Sequence, residues 1–404
     1  MGKPQSNATP RRIMAYCHDS VGVGHLRRTL AISAHVGRLH PEASFFLATG
    51  TPYVPLFQRV PRVDYIKLPA LTKTPDGSYS SKFLNLPIDT VIHCREALLL
   101  QAAKHYQPHV LLVDKAPLGV CRELVPTLQW FKRVRPQTRI VFGMRDIEDD
   151  PEATIRQWAH DGVADVLTEC FDEVWVYGMA ELFDPVVEYQ LPDSVKNKVR
   201  FMGYVARGPC GHRLAATPNS RNVLVTVGGG TDGEALLDAY LSETAGRIAS
   251  LGIRSTVVGG PDLPEPVAQR LRRLADRIDR VEWIDFEPCM SCRIAQAQLV
   301  VSMGGYNTLC EVARRRKPAL IIPRIKPRLE QAIRARLWGQ FGGIFPLHPS
   351  DLTPHSMCER VIDLLDRGPK VANTRLKMNG LDEVARRFDT FWREDSRHAS
   401  ALCL

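Results

Sequence analysis

Short apolar runs of strand length alternate with segments of helix length along most of this chain. In the first half such runs lie at residues 11–17, 43–50, 108–114, 138–146 and 171–178. Strands that are apolar along their whole length are typical of a parallel sheet covered by helices on both faces. The pattern therefore predicts βαβ units and a doubly wound α/β fold.

The alternation stops near Val205 and restarts at Asn222. Between them, residues 206–221 contain Gly, Pro, Asn and Ser without an apolar period, which is typical of a linker. At 404 residues the chain is also too long for one ordinary hydrophobic core. The sequence predicts two tandem Rossmann-like domains, residues 1–205 and 222–404, that face each other across a cleft. A last amphipathic helix, at about residues 377–395, either stays in its own domain or packs back on the first one.

The composition disfavours several classes of function. No run approaches the length of a membrane span, and the first residues contain no apolar segment of a secretory signal. The net charge of +9 is spread along the chain, so we expect no nucleic-acid partner; peripheral contact with an anionic membrane surface stays open. The ten cysteines are mostly isolated in apolar segments, as in reduced proteins, and we expect a cytoplasmic location.

Three glycine-rich turns follow predicted strands. Their residues are Gly22 and Gly24 before His25, then Gly228, Gly229, Gly230 and Thr231, and finally Gly304 and Gly305. Glycine lets the backbone approach a phosphate, and the helix that follows offers unpaired N–H groups. A tight strand-to-helix turn needs glycine in any case, so one such turn is weak evidence. Two of them in one domain are stronger evidence for an anionic ligand.

The common nucleotide and metal motifs are missing. After Gly22 and Gly24 there is no third glycine of a dinucleotide fingerprint, and no Lys-Ser or Lys-Thr pair follows any turn as in a P-loop. No Asp-x-Asp pair ends a strand, so the sequence requires no catalytic metal. Cys289 and Cys292 form a single Cys-x-x-Cys, which without a second pair is weak evidence for zinc.

The second half resembles the nucleotide-binding domain of GT-B glycosyltransferases. The resemblance covers roughly residues 222–345, through the segments VTVGGGT, DFEPCM, GGYNTLCE and PRIKPRLEQ. It is to family 28, which includes the N-acetylglucosaminyltransferase of peptidoglycan synthesis. In the first half only the Gly-x-Gly-His turn and the layout match. The segments GVGHLRR and GMRDIEDDP identify the whole chain as similar to a branch of predicted glycosyltransferases.

The resemblance implies a binding site for a nucleotide-diphosphate sugar in the second domain. Its residues would be Gly228 to Thr231 at the diphosphate, Phe286, Glu287 and Met290 at the base, Gly304, Gly305, Asn307, Thr308 and Glu311 toward the ribose, and Glu330 and Gln331 at the sugar. A carboxylate can accept hydrogen bonds from both vicinal hydroxyls of a ribose. The alternative for Glu311 is a solvated acid in the first turn of its helix.

The resemblance also places His25 near the point where acceptor and donor meet. An imidazole is suited to act as a general base near neutral pH. His25 equally fits an acceptor or phosphate contact, or a histidine bonded to the backbone at a helix start. Asp114, Arg145 and Asp146 end predicted strands and are candidates for the acceptor side, together with Gly22 and Gly24. The aspartates that follow Arg145 also fit a cap for the helix near Pro151.

The sequence thus predicts an enzyme, a glycosyltransferase that moves a sugar from a nucleotide-diphosphate sugar to an acceptor hydroxyl. We expect a UDP-sugar as donor, and no metal or other cofactor. One alternative is a UDP-sugar epimerase or hydrolase on the same fold. Another is a non-catalytic protein that binds nucleotide sugars. Residues 73–83 are polar, so the sequence does not support a lipid acceptor, and this alternative stays open.

Overall fold

The computed structural model describes residues 10–18, 23–57, 59–74, 78–207, 221–341, 343–368 and 376–401. The chain divides into two compact units. The first contains Met1–Asp146, Pro151–Val205 and Asn379–Leu404, and the second contains Ile147–Asp150 and Ala206–Met378. Most of the predicted linker, residues 206–221, lies outside the described residues.

Parallel sheets form the centre of both units. The strands of the first unit are β1 (Arg11–Cys17), β2 (Ala43–Thr49), β3 (Val63–Lys67), β4 (Leu71–Lys73), β5 (Tyr79–Ser81), β6 (Val110–Asp114), β7 (Arg139–Arg145), β8 (Glu173–Tyr177) and β9 (Val199–Phe201). Those of the second are β10 (Asn222–Thr226), β11 (Arg254–Val258), β12 (Val281–Ile284), β13 (Leu299–Ser302), β14 (Ala319–Ile321) and β15 (Ile344–Pro346).

Helices connect the strands of each sheet. In the first unit they are α1 (Gly24–Leu39), α2 (Ile88–Tyr106), α3 (Val125–Val134), α4 (Pro151–Asp161), α5 (Val163–Cys170), α6 (Pro185–Glu188) and α7 (Asp193–Lys196). In the second they are α8 (Glu234–Ala239), α9 (Ala245–Ser250), α10 (Glu265–Ala275), α11 (Met290–Gln296), α12 (Tyr306–Arg314), α13 (Glu330–Gly339) and α14 (Pro354–Asp366). The last helix, α15 (Gly380–Ala401), belongs to the first unit.

The strand orders are those of doubly wound sheets. Within the described residues, the first sheet has seven strands in the order β3-β2-β1-β6-β7-β8-β9, and the second has six in the order β12-β11-β10-β13-β14-β15. Every neighbouring pair in both sheets is parallel. The carboxyl ends of all strands of one sheet therefore meet at one edge, which is where ligands of such sheets bind. This confirms the fold class predicted from the sequence.

Two local features depart from the simple alternation of parallel strands and helices. Residues 73–82 include β5, which pairs antiparallel with β4 from Leu71↔Ser81 to Lys73↔Tyr79. The helical segment over residues 234–250 is interrupted by a π-helical segment, Tyr240–Thr244, between α8 and α9. Neither difference changes the position of a strand end.

Aromatic side chains attach α15 to the first sheet. Phe388 is fully buried, and its ring lies edge-on to Trp175 of β8, with 5.4 Å between the ring centroids. Phe391 stacks on the same tryptophan with its centroid 6.1 Å away. The Arg387 Nε donates to the buried Glu173 carboxylate at 2.9 Å. Because large aromatic groups dominate burial energies, these contacts hold the C-terminal helix on the first unit.

Candidate active site

A buried histidine–aspartate pair lies at the carboxyl edge of the first sheet. His25 is in the first turn of α1, and Asp114 is the last residue of β6, which pairs with β1. Their side chains are 2.5 Å apart, from Nδ1 to Oδ2, and the residues are only 8% and 3% exposed. An ionised carboxylate can only accept, so Nδ1 carries the proton and Nε2 keeps a lone pair.

Two arginines complete this cluster. The Arg28 guanidinium donates to Asp114 Oδ1, and Arg28 is 3% exposed. The Arg145 Nη2, at the end of β7, lies 3.4 Å from His25 Nε2. The structure thus brings together three residues that the sequence analysis selected: His25, Asp114 and Arg145. Arg28 was missed, although its position three residues after His25 puts both side chains on one face of a helix.

Burial and charge fix the protonation states of the pair. Burial lowers the pKa of the His25 imidazole to about 4; Asp114 opposes this shift, and the Arg145 and Arg28 guanidinium groups add to it. Burial alone would raise the pKa of the Asp114 carboxyl, but Arg28 and His25 hold that pKa below its usual range. Near neutral pH the cluster therefore holds a neutral imidazole oriented by a carboxylate, the state that a general base requires.

The other acceptor-side candidates are less directly placed. Gly24 begins α1, next to His25, whereas Gly22 lies outside the described residues. Asp146 follows β7 and is 1% exposed. A Cβ on Gly178 would come within 2.7 Å of the Asp146 Cβ, so this glycine makes room for the aspartate.

In the glycine turn after β10, packing requires glycine at one position, whereas a side chain at another position would meet open space. Gly230 has φ +103°, and a Cβ there would lie 2.6 Å from the Gly259 carbonyl oxygen, so packing against the neighbouring turn explains it. Gly228 has φ +68°, but a Cβ there would meet no described atom within 4 Å. Gly229 is half-buried and Thr231 is exposed. Gly228, with Thr231, therefore faces free space at the edge of the sheet.

The turn after β13 also contains one glycine that packing requires and one that it does not. Gly304 has φ +84°, and a Cβ there would lie 2.8 Å from Ile321 Cγ2. Gly305, the residue before α12, has an ordinary φ of −60°, and a Cβ there would meet no described atom within 4 Å. Neither the backbone nor packing requires glycine at 305. Gly305 also has no side chain to cap the first turn of α12, which contains Asn307 and Thr308, both half-buried. This helix start is therefore a ready anion-binding position.

Glu311 is buried inside the second turn of α12. It is the sixth residue of this helix and is only 2% exposed. The interpretation as a solvated first-turn acid is therefore wrong. Carboxylates are seldom buried to this degree unless other groups bind them.

The segment predicted to hold the nucleotide base is fixed by the carboxylate of its own Glu287. The Glu287 carboxylate accepts from the Cys289 backbone N–H at 2.8 Å and from Arg293 Nε at 2.9 Å. These bonds hold the loop that contains Phe286. Met290, the first residue of α11, is 6% exposed.

Glu330 and Gln331 begin α13, beyond the carboxyl end of β14. Glu330 is 3% exposed; its Oε1 accepts from Arg324 Nη2 at 2.6 Å, and its buried Oε2 has no partner among the described residues. Gln331 Oε1 accepts from the Arg324 backbone N–H at 3.1 Å. The start of α13 also packs beside the glycine turn after β13, because a Cβ on Gly304 would lie 3.8 Å from the Gln331 carbonyl oxygen.

A short acidic segment, Ile147–Asp150, also belongs to the second unit although its neighbours in the chain belong to the first. Asp149 Oδ1 accepts from the Leu329 N–H at 2.7 Å, and Arg334 Nη2 donates to the Ile147 carbonyl at 3.3 Å. The segment thereby fixes the residue that precedes Glu330. Its sequence, in GMRDIEDDP, marked it as distinctive without showing its role.

One exposed apolar segment lies between β5 and α2. Phe83, Leu84 and Leu86 are 65%, 47% and 48% exposed, and Lys82 Nζ lies 5.6 Å from the Phe83 ring centroid. The polarity of residues 73–83 is therefore no argument against a lipid acceptor.

Within the described part of the chain, no helix is long and apolar enough to cross a membrane. The same residues contain no group of three His, Cys, Asp or Glu side chains that could hold a metal ion.

Sequence comparison connects this site to a known family. Residues 223–388 match the model of the glycosyltransferase family 28 C-terminal domain. Two curated relatives are UDP-N-acetylglucosamine--N-acetylmuramyl-(pentapeptide) pyrophosphoryl-undecaprenol N-acetylglucosamine transferases. The one from Syntrophotalea carbinolica is 29% identical over 157 residues, which are 37% of this chain and 41% of that protein. The one from Phenylobacterium zucineum is 28% identical over 144 residues, 35% of this chain and 40% of that protein. The chain therefore spans about two fifths of the length of these relatives.

Solved structures share the fold over nearly the whole chain. The calicheamicin glycosyltransferase CalG4 superposes with a TM-score of 0.55 at 14% identity, over 98% of both chains. MurG of Acinetobacter baumannii superposes with a TM-score of 0.54 at 12% identity, over 93% of this chain and all of that one.

The chain has the GT-B fold and resembles family 28 glycosyltransferases. This confirms the resemblance stated from the sequence. The family 28 match includes both second-unit turns, Glu311 and the start of α13. The first unit resembles GT-B proteins in fold, and the His25 cluster lies outside the family 28 match.

The protonation of His25 can be measured directly. We predict that its ring signals, assigned in NMR spectra with a His25→Gln variant, titrate with a midpoint near pH 4. Unfolded histidine takes up its proton near pH 6.5, so the unfolded chain binds more protons between these values. Lowering the pH through this interval should therefore destabilise the first unit. A midpoint near pH 6.5 in the folded protein would contradict the buried, neutral imidazole.

Proposed function

We propose that this protein is a glycosyltransferase that transfers a sugar from a UDP-sugar to an acceptor hydroxyl without a metal ion. The observation that carries the proposal is the carboxyl edge of the second sheet. There an open glycine, Gly305, precedes α12 and has no side chain that could cap it; the buried carboxylates are Glu311, within α12, and Glu330, at the start of α13. The names of the curated relatives contain UDP-N-acetylglucosamine, which supports a uridine nucleotide.

The donor would bind across the turns of the second unit. The diphosphate would lie against Gly228 and Gly305, where an added Cβ would enter the space that the phosphates need. The positive end of α12 would stabilise its charge as the bond to the sugar breaks. Glu311 would accept from the ribose hydroxyls, and the free Oε2 of Glu330 would accept from a sugar hydroxyl. The backbone around Phe286 would pair with the base.

His25 would be the general base. Its Nε2 would take the proton of the acceptor hydroxyl as the acceptor oxygen bonds to the anomeric carbon. The bond from that carbon to the phosphate oxygen breaks in the same step, and its electron pair leaves with the nucleoside diphosphate. Asp114 would stabilise the imidazolium that forms, as the carboxylate of a catalytic triad does. Arg28 keeps Asp114 ionised, so the pair is ready before the acceptor binds.

A first experiment tests binding and reaction in sequence. Thermal shift with UDP, GDP and dTDP, and with their glucose and N-acetylglucosamine conjugates, should show stabilisation by the uridine compounds through mass action. Mass spectrometry of the incubated mixtures should then show a UDP-sugar consumed and UDP released, slowly with water and faster with a true acceptor. If no nucleotide raises the melting temperature, the proposal is wrong. A sugar epimer formed with the nucleotide still attached would establish the epimerase alternative.

The same assay tests the base. We predict that His25→Ala lowers the rate of UDP release by roughly 10²–10⁴-fold, the usual contribution of general-base catalysis, while the Kd for UDP stays unchanged. His160→Ala is the matched control, because that side chain is 88% exposed on α4 of the same unit. An undiminished rate in the His25 variant would remove this residue as the base.

The ribose contact can be isolated with a deoxynucleotide. We predict that the wild type binds UDP roughly 10- to 100-fold more tightly than 2′-deoxy-UDP, because a hydrogen bond to a charged group contributes about 1.5–3 kcal/mol. In Glu311→Gln this preference should nearly disappear in calorimetric titrations. Glu359→Gln, whose carboxylate is 69% exposed on α14, should keep it. If Glu311→Gln retains the full preference, the ribose contact is elsewhere.

A further inference from the structure

Arg324 links two separate parts of the carboxyl edge of the second sheet. It follows β14, and its side chain is 26% exposed. Its Nη1 donates to Asp232 Oδ2 at 3.1 Å, and its Nη2 donates to Glu330 Oε1 at 2.6 Å. Asp232 belongs to the turn after β10, whereas Glu330 begins α13. One guanidinium thus joins the first glycine turn to the start of α13.

The topology shows where this bridge lies in the second sheet. In the sheet order, β13 lies between β10 and β14. Arg324 follows β14 and its partner Asp232 follows β10, so the bridge joins residues that come after the two strands flanking β13. The pairing of β13 with β14 ends at Ser302 and Ile321, three residues before Gly305 and Arg324. The bridge therefore belongs to the same edge of the sheet as the start of α12.

The charges and the unused atoms favour a ligand over a simple ion pair. Burial would lower the pKa of Arg324, but Glu330 and Asp232 raise it, so the guanidinium stays charged. Among the described residues, the buried Arg324 Nε has no acceptor, and the buried Glu330 Oε2 has no donor. In an ion pair with only a structural role, buried polar atoms such as these are normally hydrogen-bonded within the protein. One unused atom is a cationic donor and the other an anionic acceptor, which match a phosphate and a hydroxyl.

We propose that Arg324 binds the diphosphate of the nucleotide sugar and neutralises the charge that develops there when the sugar leaves. This inference rests on the proposed function and adds a positively charged side chain to the proposed donor site. The fork of a guanidinium fits phosphate oxygens in two places at once. Asp232 holds the side chain in position before the donor binds. Glu330, bonded to the same guanidinium, is thereby fixed beside the first sugar atoms that follow the phosphate.

The test compares ligands with and without the diphosphate. UDP and uridine are titrated by calorimetry into the wild type, Arg324→Gln and Arg324→Lys. We expect Arg324→Gln to bind UDP roughly 10- to 100-fold more weakly, the contribution of charge-assisted hydrogen bonds, and to bind uridine as the wild type does. Arg324→Lys should fall between them, because it keeps the charge and loses the fork. Arg324 is partly exposed but Glu330 is buried, so Arg324→Gln should also lower the stability of the second unit. Circular dichroism checks that the variant is folded, and unchanged uridine binding shows that the rest of the site is intact.

A matched control separates this role from general electrostatics. Arg270 also joins two carboxylates of the second unit, Glu234 and Asp238, but it does so from α10. Arg270→Gln should bind UDP as the wild type does. If Arg324→Gln and the wild type bind UDP equally, the inference is overturned while the proposed function stands. If the wild type binds neither UDP nor any other nucleoside diphosphate of the thermal-shift panel, both are overturned.

Discussion

Parallel strand pairing is the constraint on which the rest of this structure depends. Because every neighbouring pair in the seven-stranded and the six-stranded sheet is parallel, each of these two sheets collects the carboxyl ends of all its strands at one edge. Residues that are distant in sequence, such as Gly228, Gly305 and Glu330, lie beyond strand ends at the same edge only for this reason. The helices that follow the strands point their N-termini toward the same edge, which adds positive potential. The fold thus prepares a site for an anionic ligand before any specific side chain is considered.

The two units use this edge in different ways. In the first unit it holds ionised groups at depth: Asp114 is buried, and its charge is tolerable because Arg28 and His25 both bond to it. Removing one member of such a cluster leaves a buried charge without its partner, which is costly. In the second unit this edge presents mainly backbone groups. Its glycines Gly228 and Gly305 leave open space, and the carboxylates of Glu311 and Glu330 are buried. The first arrangement is suited to moving a proton, and the second to holding a substrate with many hydroxyl and phosphate oxygens.

Much of the fold was predictable from the sequence, because buried parallel strands are short runs of apolar residues bounded by turns. Residues 11–17 were expected as a strand and form β1 with the same bounds. The glycine turns were recognisable as well, but the sequence could not separate Gly304, which the backbone requires, from Gly305, which it does not. That distinction needs the three-dimensional surroundings of each Cβ. Arg28 and Arg324 escaped notice because arginine is usually a surface residue, and the sequence does not show which carboxylate each one binds. The position of Ile147–Asp150 in the second unit has no sequence signal at all, since it depends on contacts with residues nearly two hundred positions away.

The central claim is that the nucleotide lies on the start of α12, and Gly305→Ala tests it most directly. A methyl group at this position meets no described atom within 4 Å, and the backbone there is of a kind that any residue adopts. The account predicts that the variant unfolds at the same temperature as the wild type and that its calorimetric affinity for UDP falls at least about tenfold, because the methyl group occupies space that the diphosphate needs. An unchanged UDP affinity in a folded Gly305→Ala protein would contradict the account.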